Sequence, residues 1–188
     1  AFKELVLNAG YLATTFDPTA GTAPEESALL GATTGGINFS AVPSFADFGE
    51  DIDNCPKNMK ELKQIESWDV KCSGTYVSAS SANVKSMLGA AEETTTSKVS
   101  KITPRNDLKD SDFTDLWLLC DYSDKHGTTN GGFCAIHMLN TLSTGGFSLQ
   151  TGDKAKGQMS FEYTAHYSIT SQDTVPCEVY IKAGEDEA

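Results

Sequence analysis

From Gly157 to Thr170 the chain alternates without a break. Met159, Phe161, Tyr163, Ala165, Tyr167 and Ile169 share one parity, and Ser160, Glu162, Thr164, His166 and Ser168 the other. A helix would spread those apolar side chains around its whole circumference. A strand sends successive side chains to opposite faces. The segment therefore predicts a long, half-buried β-strand. The stretch 64–77 repeats the pattern, with Trp68, Val70, Cys72, Gly74 and Tyr76 alternating with Ser67, Asp69, Lys71, Ser73 and Thr75.

Shorter strands are expected at Glu4–Leu7, Tyr11–Phe16, Ile37–Val42, Lys98–Ile102, Thr114–Asp121, Phe133–Leu142, Phe147–Gln150 and Cys177–Lys182. The apolar run Leu116–Cys120 suits burial on both faces. Thr144-Gly145-Gly146 predicts a hairpin between 133–142 and 147–150. One helix is expected at about 80–91, capped by Ser80 or Ser81, with Val84, Met87, Leu88 and Ala91 on one face. A short turn is expected near Asp112. Two long loops are expected, at 17–36 and 43–64, with a short acidic tail from Gly184. These elements fit one mainly β domain over 1–188, an antiparallel sandwich or barrel-like fold with a single flanking helix.

Charge narrows the function. Lys and Arg number 14 against 26 Asp and Glu, a net charge of -12, and Arg105 is the only arginine. Tight nucleic-acid binding rests on counterion release by basic groups, with arginine favoured for bidentate contacts. Such binding is not expected here. No apolar run reaches the roughly 20 residues of a membrane helix, so no membrane partner is expected. The first ten residues lack the basic and apolar segments of a leader, and Ala1 suggests a removed initiator Met. Cys55, Cys72, Cys120, Cys134 and Cys177 form no C-x-x-C pair and read as packed or free thiols.

Chemical motifs fail on inspection. After Gly31-Ala-Thr-Thr-Gly-Gly, Ile37 and Asn38 stand where a phosphate loop needs Lys and Ser/Thr. A calcium loop begun at Asp51 would place Cys55 and Pro56 at ligand and turn positions, and Leu62 where the bidentate Glu belongs. Gly146-Phe-Ser-Leu-Gln lacks the second glycine of a nucleophile elbow. His126, His137 and His166 show no ligand spacing, although strand neighbours could bring His137 and His166 together. Trp68 and Trp117 read as core anchors. No catalytic residue, metal ligand or cofactor is expected, and the chain reads as a non-enzyme.

The order of certain segments resembles the major tail tube proteins of long-tailed, non-contractile bacteriophages and prophages. They are Leu30-Gly-Ala-Thr-Thr-Gly-Gly-Ile-Asn-Phe, the strand around Trp68, Met87-Leu-Gly-Ala-Ala, Ile102-Thr-Pro and Leu108-Lys-Asp-Ser-Asp-Phe. Leu139-Asn-Thr-Leu-Ser-Thr-Gly-Gly, Phe161-Glu-Tyr-Thr-Ala-His and Pro176 follow. The resemblance runs over about residues 5–182, and order and spacing carry it.

The resemblance implies a subunit that forms hexameric rings, stacked into a hollow tube that conducts DNA during ejection. It places the protein in the virion tail, after synthesis and assembly in the bacterial cytoplasm. Its partners would be further copies of itself and the tape measure, tail tip and terminator proteins, with DNA passing through unbound. Within that frame Glu66, Asp69 and Glu162 are expected to line the lumen. Asp47, Glu50, Asp51 and Asp53, followed by Lys57 and Lys60, are expected to stack rings by charge complementarity. Deleting 45–60 is expected to leave a folded subunit that does not polymerise. An inner tube of a contractile tail or a type VI-like secretion apparatus would share the fold. A β-sandwich receptor-binding module is the reading from another class.

Overall fold

The computed structural model describes residues 5–122 and 131–184; His126 and the tail beyond Gly184 lie outside them. The protein is mainly β, and every strand pairing is antiparallel. In chain order the strands are β1 (Val6–Ala13), β2 (Thr33–Asp47), β3 (Lys63–Tyr76), β4 (Ala91–Thr96), β5 (Val99–Pro104), β6 (Thr114–Tyr122), β7 (Phe133–Ser143), β8 (Met159–Thr164) and β9 (Cys177–Lys182). One helix, α1 (Ser81–Leu88), lies between β3 and β4. The strand path is β1-β6-β7-β8-β3-β2, with β9 branching from β7 and with β4 and β5 forming a separate pair.

β7 makes the corner of the sandwich. Its first half pairs with β9, Phe133 opposite Lys182 through Met138 opposite Cys177. Its end pairs with β8, Leu142 opposite Thr164 and Ser143 opposite Tyr163. Between the two lies Asn140, with a φ of 48°. Asn is among the few residues that tolerate the left-handed region. The bend is bonded on three sides. The Asn140 N–H donates to Asp115 Oδ1 (3.2 Å), its side-chain amide to the His166 carbonyl (3.2 Å), and its own carbonyl contacts His166 Nδ1 (3.0 Å).

The two branches enclose one core of Leu12, Leu30, Val70, Cys72, Tyr76, Met87, Leu116, Leu118, Met138, Met159, Phe161 and Tyr163. A second, smaller cluster of Ala13, Trp117, Leu119 and Ala135 lies on the other side of β6 and is covered by Phe16, Phe133 and Tyr180. This explains the unbroken apolar run of β6. Leu116 and Leu118 serve one core, Trp117 and Leu119 the other, and all four are buried.

The predicted alternations hold where both faces have a use. In β3, Val70, Cys72 and Tyr76 are buried, and in β8 Met159, Phe161 and Tyr163 are. β8 nevertheless stops at Thr164, short of the expected Thr170. Ala165 N–H still bonds the Val70 carbonyl, but at Trp68 the N–H is taken by the Tyr167 hydroxyl instead of a backbone carbonyl. Ile169 is then 86% exposed.

Other expectations change. β2 runs from Thr33 to Asp47, so the expected loops shrink to 14–32 and 48–62. Gly35 and Gly36, with φ of 75° and 82°, form a bulge inside the strand rather than a turn before it. Pro43 sits within β2 because β2 is an edge strand, where a missing N–H breaks no ladder. The 147–150 strand is absent apart from one bridge at Gln150. Instead of turning back, Thr144 and Gly145 donate to the Glu162 carbonyl beside β8. The helix keeps its cap, Ser80 bonding the Asn83 N–H, but ends at Leu88 because Gly89 adopts φ 72°. Ala91 accordingly opens β4. No helix among the described residues is long and apolar enough to cross a membrane.

Two stability predictions follow from the core. Gly74 lies opposite Phe161, and a Cβ there would sit 2.7 Å from the Phe161 Cζ. Phe161 packs at 4.3 Å against the fully buried Tyr76 and has little room to retreat. Gly74→Ala is expected to cost about 1–3 kcal/mol, read as a lower urea midpoint.

Burial also pushes the Cys72 thiol up to about 12 from 9.0. Between those values the folded state holds a proton that the unfolded state releases. Stability is therefore undiminished below about pH 9 and falls as pH rises, at about 1.4 kcal/mol per pH unit for this group. Comparing urea unfolding of Cys72→Ala and wild type from pH 8 to 10.5 checks it. The variant's curve is expected to be the flatter of the two.

Candidate functional site

The side of β2, β3 and β8 turned away from the core forms one polar surface. In register across it lie Asn38, Ser73 and Glu162, then Ser40, Lys71 and Thr164, then Val42 and Asp69, with Thr75 opposite Ser160. The pleat dictates this composition, because each of these residues alternates with a core residue. Lys71 Nζ lies 3.7 Å from Asp69 Oδ2. Thr144 Oγ donates to Glu162 Oε1 (3.1 Å) and lies 2.8 Å from Thr164 Oγ. Asp69 and Glu162 thus share one polar side of the sheet, with Lys71 between.

Glu66 does not follow their period. The β2 partners step from Ser44 to Phe45 while those on β3 step from Ser67 to Ile65, so Glu66 is the extra residue of a bulge.

Beyond β8 the ends of β2 and β3 continue as a two-stranded arm, Val42–Asp47 against Lys63–Asp69, closed by residues 48–62. Asp47 closes the turn. Its carboxylate accepts from the Asn58 N–H (2.9 Å) and the Gly49 N–H (3.0 Å), which in that order hold it below the usual carboxylate range. Its role is local. Glu50 and Lys57 approach to 3.9 Å and Lys60 and Glu61 to 3.5 Å, all at the exposed surface; Asp51 and Asp53 are exposed too. The arm also carries exposed Phe45, Phe48, Ile52, Met59 and Ile65, with Lys63 Nζ 4.7 Å above the Phe45 ring. Charge patterning and the aromatics Phe45 and Phe48 pointed to this segment, whereas exposed Ile52, Met59 and Ile65 had no sequence signal of their own.

His137 and His166 do not meet in one site. His137 stacks on Trp117 at 4.1 Å, with Asp115 Oδ2 3.1 Å from Nε2 and Glu178 Oε2 3.6 Å from Nδ1. His166 serves the Asn140 bend. Among the described residues, no three His, Cys, Asp or Glu side chains converge as metal ligands would. A cleft of about 400 Å³ lies between α1 and the β6–β7 end, lined by hydroxyls including Ser86, Thr114, Thr141, Ser143 and Tyr163.

One strand was not expected: the segment Lys98–Ile102 is found as β5, but the helix expected over 80–91 takes in the start of its partner β4. β4 and β5 form a projecting hairpin around Ser97 and Lys98. For β4 the β-branched run Thr94–Thr96 was the only sequence signal. No protein-family model matches the chain, and no curated protein matches it.

Proposed function

We propose that this chain is a self-assembling structural subunit that works by forming a hollow polymer. In particular, we propose that it is the major tail tube protein of a long-tailed, non-contractile phage, and that DNA leaves through the tube. The observation that carries the reading is the polar face of β2, β3 and β8 on a sheet whose 15-residue edge strand, β2, has no partner besides β3 among the described residues.

An open edge of that length invites pairing with another chain, and a ring of copies removes it. Apart from Val42, the face is hydroxyl and amide with Asp69, Lys71 and Glu162 interspersed. It is wettable, as the inside of a wide barrel must be. It also lacks the cationic cluster that would hold DNA by counterion release. A net charge of -12 acts in the same direction.

Electron microscopy of the concentrated protein tests the reading. Hollow rods are expected, with Asp69 and Glu162 on the inner wall of a reconstruction. Rods with that face outermost would overturn the lumen assignment, and discrete particles in the presence of a tail-tip initiator would overturn the function.

A further inference from the structure

Two of the five cysteines face each other across neighbouring strands. Cys120 of β6 stands directly opposite Cys134 of β7. Parity puts both side chains on the side of Leu118 and Ile136. Both are free thiols.

The ladder fixes their spacing. The Leu139 N–H donates to the Pro176 carbonyl (3.0 Å), so Leu139, and by alternation His137, Ala135 and Phe133, turn their backbone groups to β9. Cys134 therefore turns its own to β6 and forms a hydrogen-bonded pair with Cys120. The Cα atoms of such a pair lie about 5.5 Å apart, inside the range of a disulfide. Its Cβ atoms also lie about 5.5 Å apart, whereas a disulfide needs roughly 4.5 Å or less. Closing that gap strains the bond, and a strained disulfide is easily reduced.

The pair is within reach of solvent. A cleft of about 280 Å³, lined by Tyr11, Phe16, Leu119 and Phe133, opens on Cys120. Cys134 adjoins Ile181, which is 64% exposed. The Cys120 sulfur rests against Gly10, where a Cβ would stand 2.8 Å from it, and a χ1 rotation carries it toward Cys134. The other thiols are placed differently. Cys72 is fully buried on β3, Cys177 stands opposite Met138, and Cys55 belongs to the arm's closing loop, beside Met59.

We propose that Cys120 and Cys134 are a reversible oxidation site, a dithiol that a small-molecule disulfide converts into a cross-strand bond stapling β6 to β7. The Cys134 thiolate, the less buried of the two, attacks one sulfur of oxidised glutathione. A mixed disulfide forms and one glutathione thiolate leaves. The Cys120 thiolate then attacks the Cys134 sulfur and expels the second glutathione thiolate. Two protein thiols are oxidised, one glutathione disulfide is reduced, and the two protein protons end on the glutathione sulfurs. Burial pushes both protein thiols up, Cys120 to about 11, which keeps the pair reduced where no disulfide oxidant is present. The site lies within one subunit and does not depend on the tube reading.

Peptide mass spectrometry tests it. Folded protein, reduced and freed of reductant, is incubated with oxidised glutathione, quenched in acid, and its remaining thiols are blocked with a maleimide. Trypsin cuts after Lys125, between the two cysteines, so the bond joins two peptides. The Cys120–Cys134 link is expected to exceed every other pair about tenfold, and reduced glutathione to reverse it. Cys120→Ser, shown to be folded by circular dichroism, is expected to stop at the mixed disulfide on Cys134. In concentrated urea the preference for this pair is expected to shrink severalfold.

Free thiols at both positions after prolonged oxidation would overturn the site. So would a lasting mixed disulfide on Cys134 of the wild type, or Cys72–Cys120 as the main product. An equal preference in urea would make the link a product of sequence proximity and overturn the folded site as well.

Discussion

Asp112→Ala is expected to destabilise the protein by about 3–5 kcal/mol, a large share of the roughly 5–15 kcal/mol that holds a domain folded. The reason lies in the sole arginine. The Arg105 side chain is only 13% exposed and that of Asp112 only 7%, and Arg105 Nη2 donates to Asp112 Oδ1 over 2.6 Å. The second Asp112 oxygen accepts the Lys109 N–H (2.8 Å), which fixes the 3-10 turn Asp110–Asp112. What remains around Arg105 is thinner: the Asp107 carbonyl at 3.1 Å, and Glu92 and Asp107 carboxylates at 3.5 Å. Removing Asp112 leaves a guanidinium in a nearly dry site without its close counter-charge. The cost comes from that orphaned charge, not from the intrinsic worth of the pair.

A second variant separates the two. Arg105→Met with Asp112→Leu removes both charges and fills the volume, and it is expected to lie within about 1 kcal/mol of wild type. Urea unfolding of the single and double variants checks both numbers. A cost below 0.5 kcal/mol for Asp112→Ala, on the order of an ordinary surface substitution, would refute the argument.

The same variant is expected to loosen the β4–β5 hairpin first. Glu92 ties β4 to Lys109 at 2.9 Å and to Arg105. Lys109, more than Arg105, holds the Glu92 carboxyl below its usual range. That contribution is present above the ordinary glutamate range and is lost as pH falls through the depressed value. Faster amide exchange in β4 and β5 of Asp112→Ala, and of wild type at acid pH, are the expected signatures.

The hairpin also marks where sequence reading reaches its limit. The alternations of β3 and β8 and the two-sided run of β6 were legible because burial on a pleated sheet writes a period into the chain. β4 was not. Its face toward the body is slight, so Glu92–Thr96 shows no alternation, and its turn uses Ser97 and Lys98 rather than Asn-Gly. β2 was cut short for the opposite reason. Gly35, Gly36 and Pro43 are punctuation in a central strand, but at an edge they make a bulge and a tolerated gap in hydrogen bonding. Past Ala165 the alternation outlived the strand, because period shows what a segment suits and not whether a partner strand arrives. The polar face was legible at Asp69 and Glu162, since parity against core residues defines it. Glu66 has the parity of Trp68 and Val70, so the alternation itself already set it off that face, and the bulge between Ile65 and Ser67 takes it out of the ladder.

Replacing residues 48–62 by Asn-Gly is expected to leave a folded subunit that no longer builds tubes. The shortened arm would join Asp47 to Lys63, which already face each other as the last pair of the ladder. Asn-Gly supplies the two positive φ angles such a turn needs. None of the residues removed belongs to either core cluster. The melting temperature is therefore expected to stay within a few degrees of wild type. The cut spares Phe45, Ala46 and Asp47, which a deletion of 45–60 would have taken from the ladder.

Assembly should respond differently, because the loop carries Glu50, Asp51, Asp53, Lys57 and Lys60 together with exposed Phe48, Ile52 and Met59. Salt separates their contributions. Exposed charges are screened within about 10 Å at 0.1 M salt, whereas apolar burial is not weakened by screening. If the charges set register while the apolar side chains hold successive rings, added salt slows the growth of wild-type tubes without shortening the final ones. Normal tubes from the shortened protein would remove this loop from the stacking interface. An unfolded shortened subunit would instead make the arm part of the fold, which the absence of any core side chain in 48–62 argues against.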